Sequence, residues 1–185
     1  FRIDHLHDAR AVEVIEAAVA LAGGLDAPGG VDAPGRGLAF ARYKNIAAYC
    51  AIVADVEVEE EVRVSRIWCA ADAGLVVNPD GAKNQLEGGI VQAISWALKE
   101  GVRLDQAGIS SRDWETYPVL KFSEVPEIEV ALVDPATDNP PLGIGEASGG
   151  PTVAAIGNAV ARALGARLRD LPLTRDRVMA ALLKA

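Results

Sequence analysis

Residues 38–70 read LAFARYKNIAAYCAIVADVEVEEEVRVSRIWCA, and no other segment says as much about the architecture. Over 38–43, 47–57 and 62–70, apolar residues alternate with polar ones or follow each other without a break. Both patterns are typical of β-strands. The acidic run at 57–61 suits a tight turn between the last two strands. The segment therefore predicts neighbouring strands with short connections, as in an antiparallel sheet.

Helical spacing of apolar residues marks four further segments, which are 8–22, 78–100, 151–165 and 174–183. Residues that commonly begin or end helices flank them: Asp8 or Asp4, Asn78 before Pro79, Thr174 and, as a C-terminal cap, Gly165. Short extended pieces are expected at 101–104 and 116–122, and one more strand at 127–133. Because strands and helices come in blocks, the predicted class is α+β, with a largely antiparallel sheet and packed helices.

A run rich in glycine and proline, GGLDAPGGVDAPGRG at 23–37, separates the first helix from the strands. It lacks the lysine of a phosphate-binding P-loop and has no strand before it, which favours a flexible linker. We therefore divide the chain into an N-terminal helix with linker, residues 1–34, and a main domain, residues 35–185. A length of 185 residues suits one domain or two small lobes sharing a core.

The composition indicates a globular protein and restricts its partners. A formal net charge of −8 argues against nucleic acid or an anionic membrane as the main partner, since both require a basic face. No apolar run approaches the ~20 residues that span a bilayer. The first residue is Phe1 and the only methionine is Met179, so we expect a piece of a longer protein. Any targeting segment would then be missing, which leaves a cytoplasmic or a periplasmic location open.

The sequence predicts no metal site within this chain. Cys50 and Cys69 stand outside any CxxC pair, and no second ligand cluster accompanies His5 and His7. Buried free thiols are therefore expected for the two cysteines, and a solvated helix entry for the two histidines. No serine lies in a GxSxG elbow, which argues against a Ser/His/Asp hydrolase.

One glutamate, Glu146, stands among small and rigid residues in PPLGIGEASGGP at 140–151. Gly143 and Gly145 permit a positive φ or a close backbone approach, and the prolines limit the alternatives. Glu146 is expected just before a buried helix. There it either accepts hydrogen bonds from the free N–H groups of that helix or acts as a desolvated acid or base. The residues alone leave both interpretations open.

The helix after Asn78 carries an unusual polar stripe. Its apolar residues recur every four positions and predict a largely buried helix, yet Gln85, Gly88, Gly89 and Gln92 share one face. An unsatisfied buried amide costs about 1–3 kcal/mol, so both amides need partners. These are either a neighbouring backbone packed closely over the glycines or a ligand.

Four stretches, taken in order, resemble a known family. They are YKNIAAYCAIVADVEV from Tyr43, CAADAGLVVNPDGAKNQLEGGIVQAISWAL from Cys69, RDWETYPVLKFSEVPEIEV from Arg112 and GIGEASGGPTVAAIGNAV from Gly143. Together they resemble the C-terminal part of the molybdopterin-binding large subunit of the xanthine dehydrogenase and aldehyde oxidase family. The branch they resemble most is that of the isoquinoline and nicotinate oxidoreductases, over roughly residues 35–178.

The resemblance implies a set of site residues. Glu146 matches the glutamate that acts as general base on a molybdenum-bound hydroxide. Gln85 matches the glutamine that bonds the pterin, with Gln92 and Gly145 as further cofactor contacts. Many members have two prolines after this glutamate, where this chain has Ala147 and Ser148.

The same resemblance implies cofactors, substrates and partners. The cofactor is molybdenum-molybdopterin in its cytosine dinucleotide form, with iron–sulfur clusters and any flavin on other domains or subunits. The reaction is hydroxylation of an N-heteroaromatic or aldehyde C–H with oxygen from water. The partners are the remaining part of the molybdenum subunit and an iron–sulfur subunit or domain, without which this chain is expected to be inactive.

Two other interpretations stay open at this point. One is a non-catalytic domain of the same fold that binds a partner through its acidic surface. The other is a binding module for a small heteroaromatic ligand. Trp114 and Tyr117 are expected to pack against the fold rather than to touch a substrate.

Overall fold

The computed structural model of the chain describes residues 1–26 and 34–183. Its strands are β1 (Gly35–Arg42), β2 (Tyr49–Val58), β3 (Val62–Asp72), β4 (Leu104–Asp105), β5 (Gly108–Ile109) and β6 (Glu127–Leu132). The main sheet has the order β1-β2-β3-β6, and β4 pairs with β5 in a separate hairpin. Both β1-β2 and β2-β3 are antiparallel, whereas β3 and β6 are parallel. The predicted α+β class with a largely antiparallel sheet is confirmed.

The α-helices are α1 (Ala9–Leu21), α2 (Pro79–Leu98), α3 (Gly149–Leu164) and α4 (Arg175–Leu182). The predicted caps are mostly confirmed: Asp8 and Asn78 accept backbone N–H groups of their helices, and Gly165 ends α3 with φ 67°. Thr174 occupies the cap position of α4, but its side chain makes no capping hydrogen bond. Among the described residues, no helix combines the length and apolar character needed to cross a bilayer.

The central strand β2 is buried from both sides, which explains its unbroken apolar run. Its face with Cys50 and Ile52 packs against α2 and α3, and its face with Tyr49 and Val53 packs against α1. The fold therefore has three layers, with the sheet in the middle. Cys50 and Cys69 are buried free thiols, as predicted, with their Sγ atoms 3.7 Å apart.

A buried ion pair attaches the end of α1 to the sheet. The guanidinium of Arg36 makes two 2.7 Å hydrogen bonds to the carboxylate of Asp55 on the neighbouring strand. It also donates to the carbonyl groups of Ala22 and Gly24 and lies over the ring of Trp68. Removing either partner would leave an uncompensated buried charge. Through the bonds of Arg36 to Ala22 and Gly24, the pair also holds the residues after α1 against the sheet.

The division of the chain at residue 34/35 stays a prediction. Residues 27–33, the centre of the predicted linker, lie outside the described residues.

Some local expectations were wrong. The extended piece expected at 116–122 is shorter, since a turn covers 114–116 and a 3-10 helix begins at Phe122. Trp114 is 76% exposed, so the predicted packing role does not hold in this chain. Tyr117 is half-buried and donates its hydroxyl to Glu100 at 2.8 Å. The helix α2 is buried on one side only, and Trp96 lies on its open side.

The helix α3 lies directly on the backbone of β1. A Cβ atom at Gly37 would be 2.3 Å from the carbonyl oxygen of Ala155 and from the backbone nitrogen of Ala159. A Cβ at Gly35 would be 2.3 Å from the carbonyl oxygen of Ala159. Such distances leave no room for a side chain, so both glycines are required by the packing.

We expect Gly37→Ala to destabilise the fold strongly, because the new methyl group meets rigid helix backbone. The free energy of unfolding should fall by about 1–3 kcal/mol or more, the usual effect of overpacking. Gly157→Ala is the matched control on α3, since a Cβ there meets nothing within 4 Å. Gly157→Ala should leave the free energy of unfolding unchanged or raise it by up to about 1 kcal/mol, because alanine has the higher helix propensity. Urea unfolding followed by circular dichroism compares the two, and equal stability would contradict the packing argument.

Candidate functional site

Residues 139–148, called the glutamate loop below, are anchored first to the segment that follows β3. Leu142 N–H donates to the Ala73 carbonyl at 2.6 Å, and Leu75 N–H donates to the Asn139 carbonyl at 3.0 Å. Gly74 has φ +62°, and a Cβ there would lie 2.1 Å from the carbonyl oxygen of Pro140. The start of the loop is therefore fixed by backbone contacts that need glycine at position 74.

The carboxylate of Asp72 holds this anchoring segment in place. It receives two 2.6 Å hydrogen bonds from Arg10 on α1 and accepts the N–H of Gly74 at 2.8 Å. Partial burial raises the pKa of Asp72, but the hydrogen bonds from Arg10 and Gly74 outweigh it, so the pKa lies below its ordinary value. The charged form of Asp72 is thus the one that the fold stabilises.

The end of the glutamate loop is tied to α2 through Ser148. Its hydroxyl donates to the Leu86 carbonyl at 3.0 Å, and its carbonyl accepts the Thr152 hydroxyl at 2.7 Å. A Cβ at Gly89 would lie 2.4 Å from the Ser148 hydroxyl oxygen. The close packing expected over the glycines of α2 is present at Gly89, whereas Gly88 faces open space. A proline at 148 could not make this bond to α2.

A third attachment comes from the amide stripe. Gln85 Nε2 donates to the Gly145 carbonyl at 2.8 Å, one residue before Glu146. Gln85 and Gln92 are both exposed, and Gln92 makes no hydrogen bond within the described residues. The structure thus brings Gln85, Gly145 and Glu146 together, and Gln92 lies two helical turns further along α2.

Glu146 is exposed near the end of the loop, and its Oε2 accepts the hydroxyl of Tyr43. It does not cap α3, because this hydrogen bond is the one that it makes among the described residues. The bond to Glu146 raises the pKa of the Tyr43 phenol, so the phenol remains a donor near neutral pH. Glu146 is therefore held in place from outside its own loop.

Gly143 and Gly145 do not use, within this chain, the conformational freedom that glycine permits. Neither has a positive φ, and a Cβ at either position would meet nothing within 4 Å. Among the described residues, no backbone acceptor meets their N–H groups. The two glycines leave an open strip of backbone beside Glu146.

Sequence reasoning missed Tyr43, Ser148 and Gly74. Tyr43 lies 103 positions before Glu146, and no local pattern pairs residues over such a distance. The signal available for Gly74 was its place two residues after a strand, where glycine often marks a turn.

A cavity of about 670 Å³ lies elsewhere, between the β2–β3 turn and the C-terminal end of α2. Neither Glu146 nor Gln85 lines it. In residues 1–26 and 34–183, no group of three or more His, Cys, Asp or Glu side chains is arranged to hold a metal ion.

Comparison with known proteins decides the family. The family model for a molybdopterin cofactor-binding domain matches residues 7–126. The chain belongs to this family. One subunit of the nicotinate dehydrogenase of Pseudomonas putida is 40% identical over 198 residues, covering 98% of this chain and 17% of that protein. The beta subunit of isoquinoline 1-oxidoreductase from Brevundimonas diminuta is 41% identical over 140 residues, covering 74% of this chain and 17% of that protein.

Solved structures agree with this molybdopterin cofactor-binding fold. Quinoline 2-oxidoreductase from Pseudomonas putida 86 superposes with a TM-score of 0.68 at 25% identity, over 74% of this chain and 19% of that chain. Aldehyde oxidoreductase from Desulfovibrio gigas gives 0.64 at 29% identity, over 75% of this chain and 16% of that chain. The resemblance seen in the sequence is confirmed, and the chain spans less than a fifth of the length of these relatives.

We expect the ion pair between Arg10 and Asp72 to make the stability of this molybdopterin-binding domain depend on pH. Because the folded-state pKa of Asp72 is lowered, its stabilisation is present above about pH 4, the ordinary aspartate pKa, and is lost as the pH falls through the folded value. Arg10→Gln should therefore be less stable than wild type at pH 7, with a difference that shrinks towards pH 3.

Urea midpoints at both pH values measure this difference. Arg63→Gln is the control, since Arg63 is exposed and 3.8 Å from Glu57. The Arg63→Gln substitution should change the urea midpoint little at either pH, because exposed ion pairs contribute little to stability. If the urea midpoints of wild type and Arg10→Gln differ by the same amount at pH 7 and pH 3, Asp72 is not the group responsible for the pH dependence.

Proposed function

We propose that this chain is the part of a molybdenum hydroxylase that presents Glu146 as a general base, with Gln85, Gln92 and Gly145 as cofactor contacts. The observation that carries the proposal is that Glu146 is exposed and yet fixed from two sides. Tyr43 binds its carboxylate, and Gln85 binds the carbonyl of the residue before it. Among the described residues, Glu146 neither caps α3 nor closes an ion pair, so neither of these structural roles accounts for it.

The residues around Glu146 suit a polar, ring-shaped ligand such as a pterin. Gln85 keeps its Oε1 available, Gln92 has an uncommitted amide, and the N–H groups of Gly143 and Gly145 are open. Missing side chains at Gly88, Gly143 and Gly145 allow a ligand to approach the backbone closely. When bound, the molybdenum cofactor supplies the two-electron oxidation.

In this arrangement Glu146 accepts the proton of the water-derived hydroxyl group that attacks the substrate carbon. A base placed within reach of that proton is worth roughly 10²–10⁴-fold in rate. Gln85 holds the backbone next to Glu146 against α2 through its hydrogen bond to the Gly145 carbonyl, and this bond would help to position the carboxylate towards a bound cofactor.

The substrate class that we propose is an N-heteroaromatic ring or an aldehyde, supported by the names of the similar nicotinate, isoquinoline, quinoline and aldehyde enzymes. The cofactor is proposed in its cytosine dinucleotide form. Iron–sulfur clusters and any flavin belong to other domains or subunits, and the rest of the molybdenum subunit closes the site. The cellular location is proposed as cytoplasmic or periplasmic.

The acidic turn at 57–61 favours one alternative, a non-catalytic domain of the same fold that binds a basic partner. This alternative predicts that Glu146 has no role in turnover. It is therefore distinguished by the substitution of that residue.

We expect Glu146→Gln in the complete enzyme to retain molybdenum but to lose at least about 10²-fold in turnover, because the amide cannot accept the proton. Elemental analysis and a dye-reduction assay measure the two quantities. Glu100→Gln is the matched control, since Glu100 also accepts a tyrosine hydroxyl but lies beyond the far end of α2. Normal turnover of Glu146→Gln at full molybdenum content would rule out the base role.

Gln85→Ala should reduce cofactor retention more than it reduces fold stability, because the side chain is exposed and loses one surface hydrogen bond within the chain. Gln106→Ala, in the exposed turn between β4 and β5, controls for the loss of an amide. Melting midpoints of the cofactor-free and loaded proteins, with molybdenum content, test this. An equal drop in both midpoints would assign Gln85 a purely structural role.

A further inference from the structure

Tyr43 is presented by a turn that is closed on itself. Its N–H donates to the Ala48 carbonyl at 2.8 Å, and its own carbonyl accepts the N–H of Ala47 at 2.9 Å. Lys44 and Asn45 between them have φ values of 51° and 60°, a region that residues other than glycine seldom adopt. Two consecutive positive φ values are typical of a tight turn between antiparallel strands, and this turn fixes the place of the Tyr43 backbone beside the sheet.

The packing of α3 on β1 explains why this turn meets the glutamate loop. Gly35 lies opposite Ala159 and Ala163, and Gly37 lies opposite Ala155 and Ala159, so α3 runs antiparallel to β1. From Gly37 to Tyr43 a strand advances about 20 Å, which is about 13 residues of helix. Counting back from the helix residues opposite Gly37 reaches the start of α3 at Gly149 and then the glutamate loop, which therefore lies at the end of β1. The fold itself therefore brings Tyr43 to Glu146.

We propose that Tyr43 is a positioning residue for Glu146, which rests on the proposed function of Glu146 as the general base. By donating to Oε2, the phenol hydroxyl fixes the rotation of the carboxylate and leaves Oε1 to receive the proton. The phenol keeps its own proton throughout, because the hydrogen bond to Glu146 raises its pKa. Tyr43 thus orients the base without exchanging a proton with the substrate.

The test is Tyr43→Phe in the complete molybdenum enzyme. A hydrogen bond to a charged group corresponds to roughly 10-fold or more in rate when it is lost. We expect kcat to fall by about that factor, with KM and molybdenum content within about twofold of wild type. Tyr117→Phe is the matched control, because it also removes a tyrosine hydroxyl bonded to a glutamate and should leave kcat unchanged.

A double-mutant cycle separates the two proposals. If Tyr43 acts through Glu146, Tyr43→Phe has no further effect on kcat once Glu146 is Gln. If Glu146→Gln alone leaves kcat normal, the base role fails. Two other results overturn the positioning role alone. In the first, Glu146→Gln lowers kcat but Tyr43→Phe does not. In the second, Tyr43→Phe lowers kcat by the same factor whether residue 146 is Glu or Gln.

A measurement on the 185-residue chain checks the contact without relying on turnover. Labelling of the three tyrosine rings with ¹³C allows each phenol to be titrated by NMR. We expect Glu146→Gln to lower the pKa of Tyr43 and to leave that of Tyr117 unchanged. A Tyr43 titration that does not respond to Glu146→Gln would show that the two side chains are apart in solution, which overturns the proposal.

Discussion

The direct contact between α3 and the backbone of β1 is the constraint on which the rest of the site depends. Gly35 and Gly37 remove the side chains that would hold the helix away, and small alanines on α3 complete the fit. A helix seated on bare backbone has little freedom to slide, since its own turns fill the space above the two glycines. The start of α3, and with it the glutamate loop, is therefore placed relative to the end of β1.

Around this contact, three separate attachments converge on the glutamate loop. The segment after β3 holds its beginning, Gln85 holds Gly145, and Ser148 holds its end against α2. The segment after β3 depends in turn on the Asp72 carboxylate and on Arg10 of α1. Elements from both sides of the sheet thus contribute to the position of one carboxylate.

The sequence predicted the elements of this fold well because their signals are local. Caps such as Asp8 and Asn78, and the alternation in β1 to β3, depend only on neighbouring residues. Contacts between distant segments, such as Tyr43 with Glu146, have no such signal. Glu146 was noticed from its loop and Gln85 from the polar stripe of its helix, but their roles came from the resemblance to a known family, and those roles stay predictions. The glycines show the same difference between local and tertiary signals. This chain does not use the freedom that glycine permits at Gly143 and Gly145. Gly37 and Gly74 are required because distant backbone atoms leave no room for a side chain.

The parallel pairing of β6 with β3 has a consequence for the order of folding. The strands β1 to β3 are joined by short turns and close with little loss of chain entropy, whereas β6 can pair only after α2 and the residues up to 126 have closed a long loop. The glutamate loop follows β6 along the chain and its beginning is bonded to the segment after β3, so the pairing of β6 with β3 brings the two together. The position of Glu146 thus depends on a strand pairing that closes over a long loop, and a change in β6 can disturb the glutamate loop without touching it.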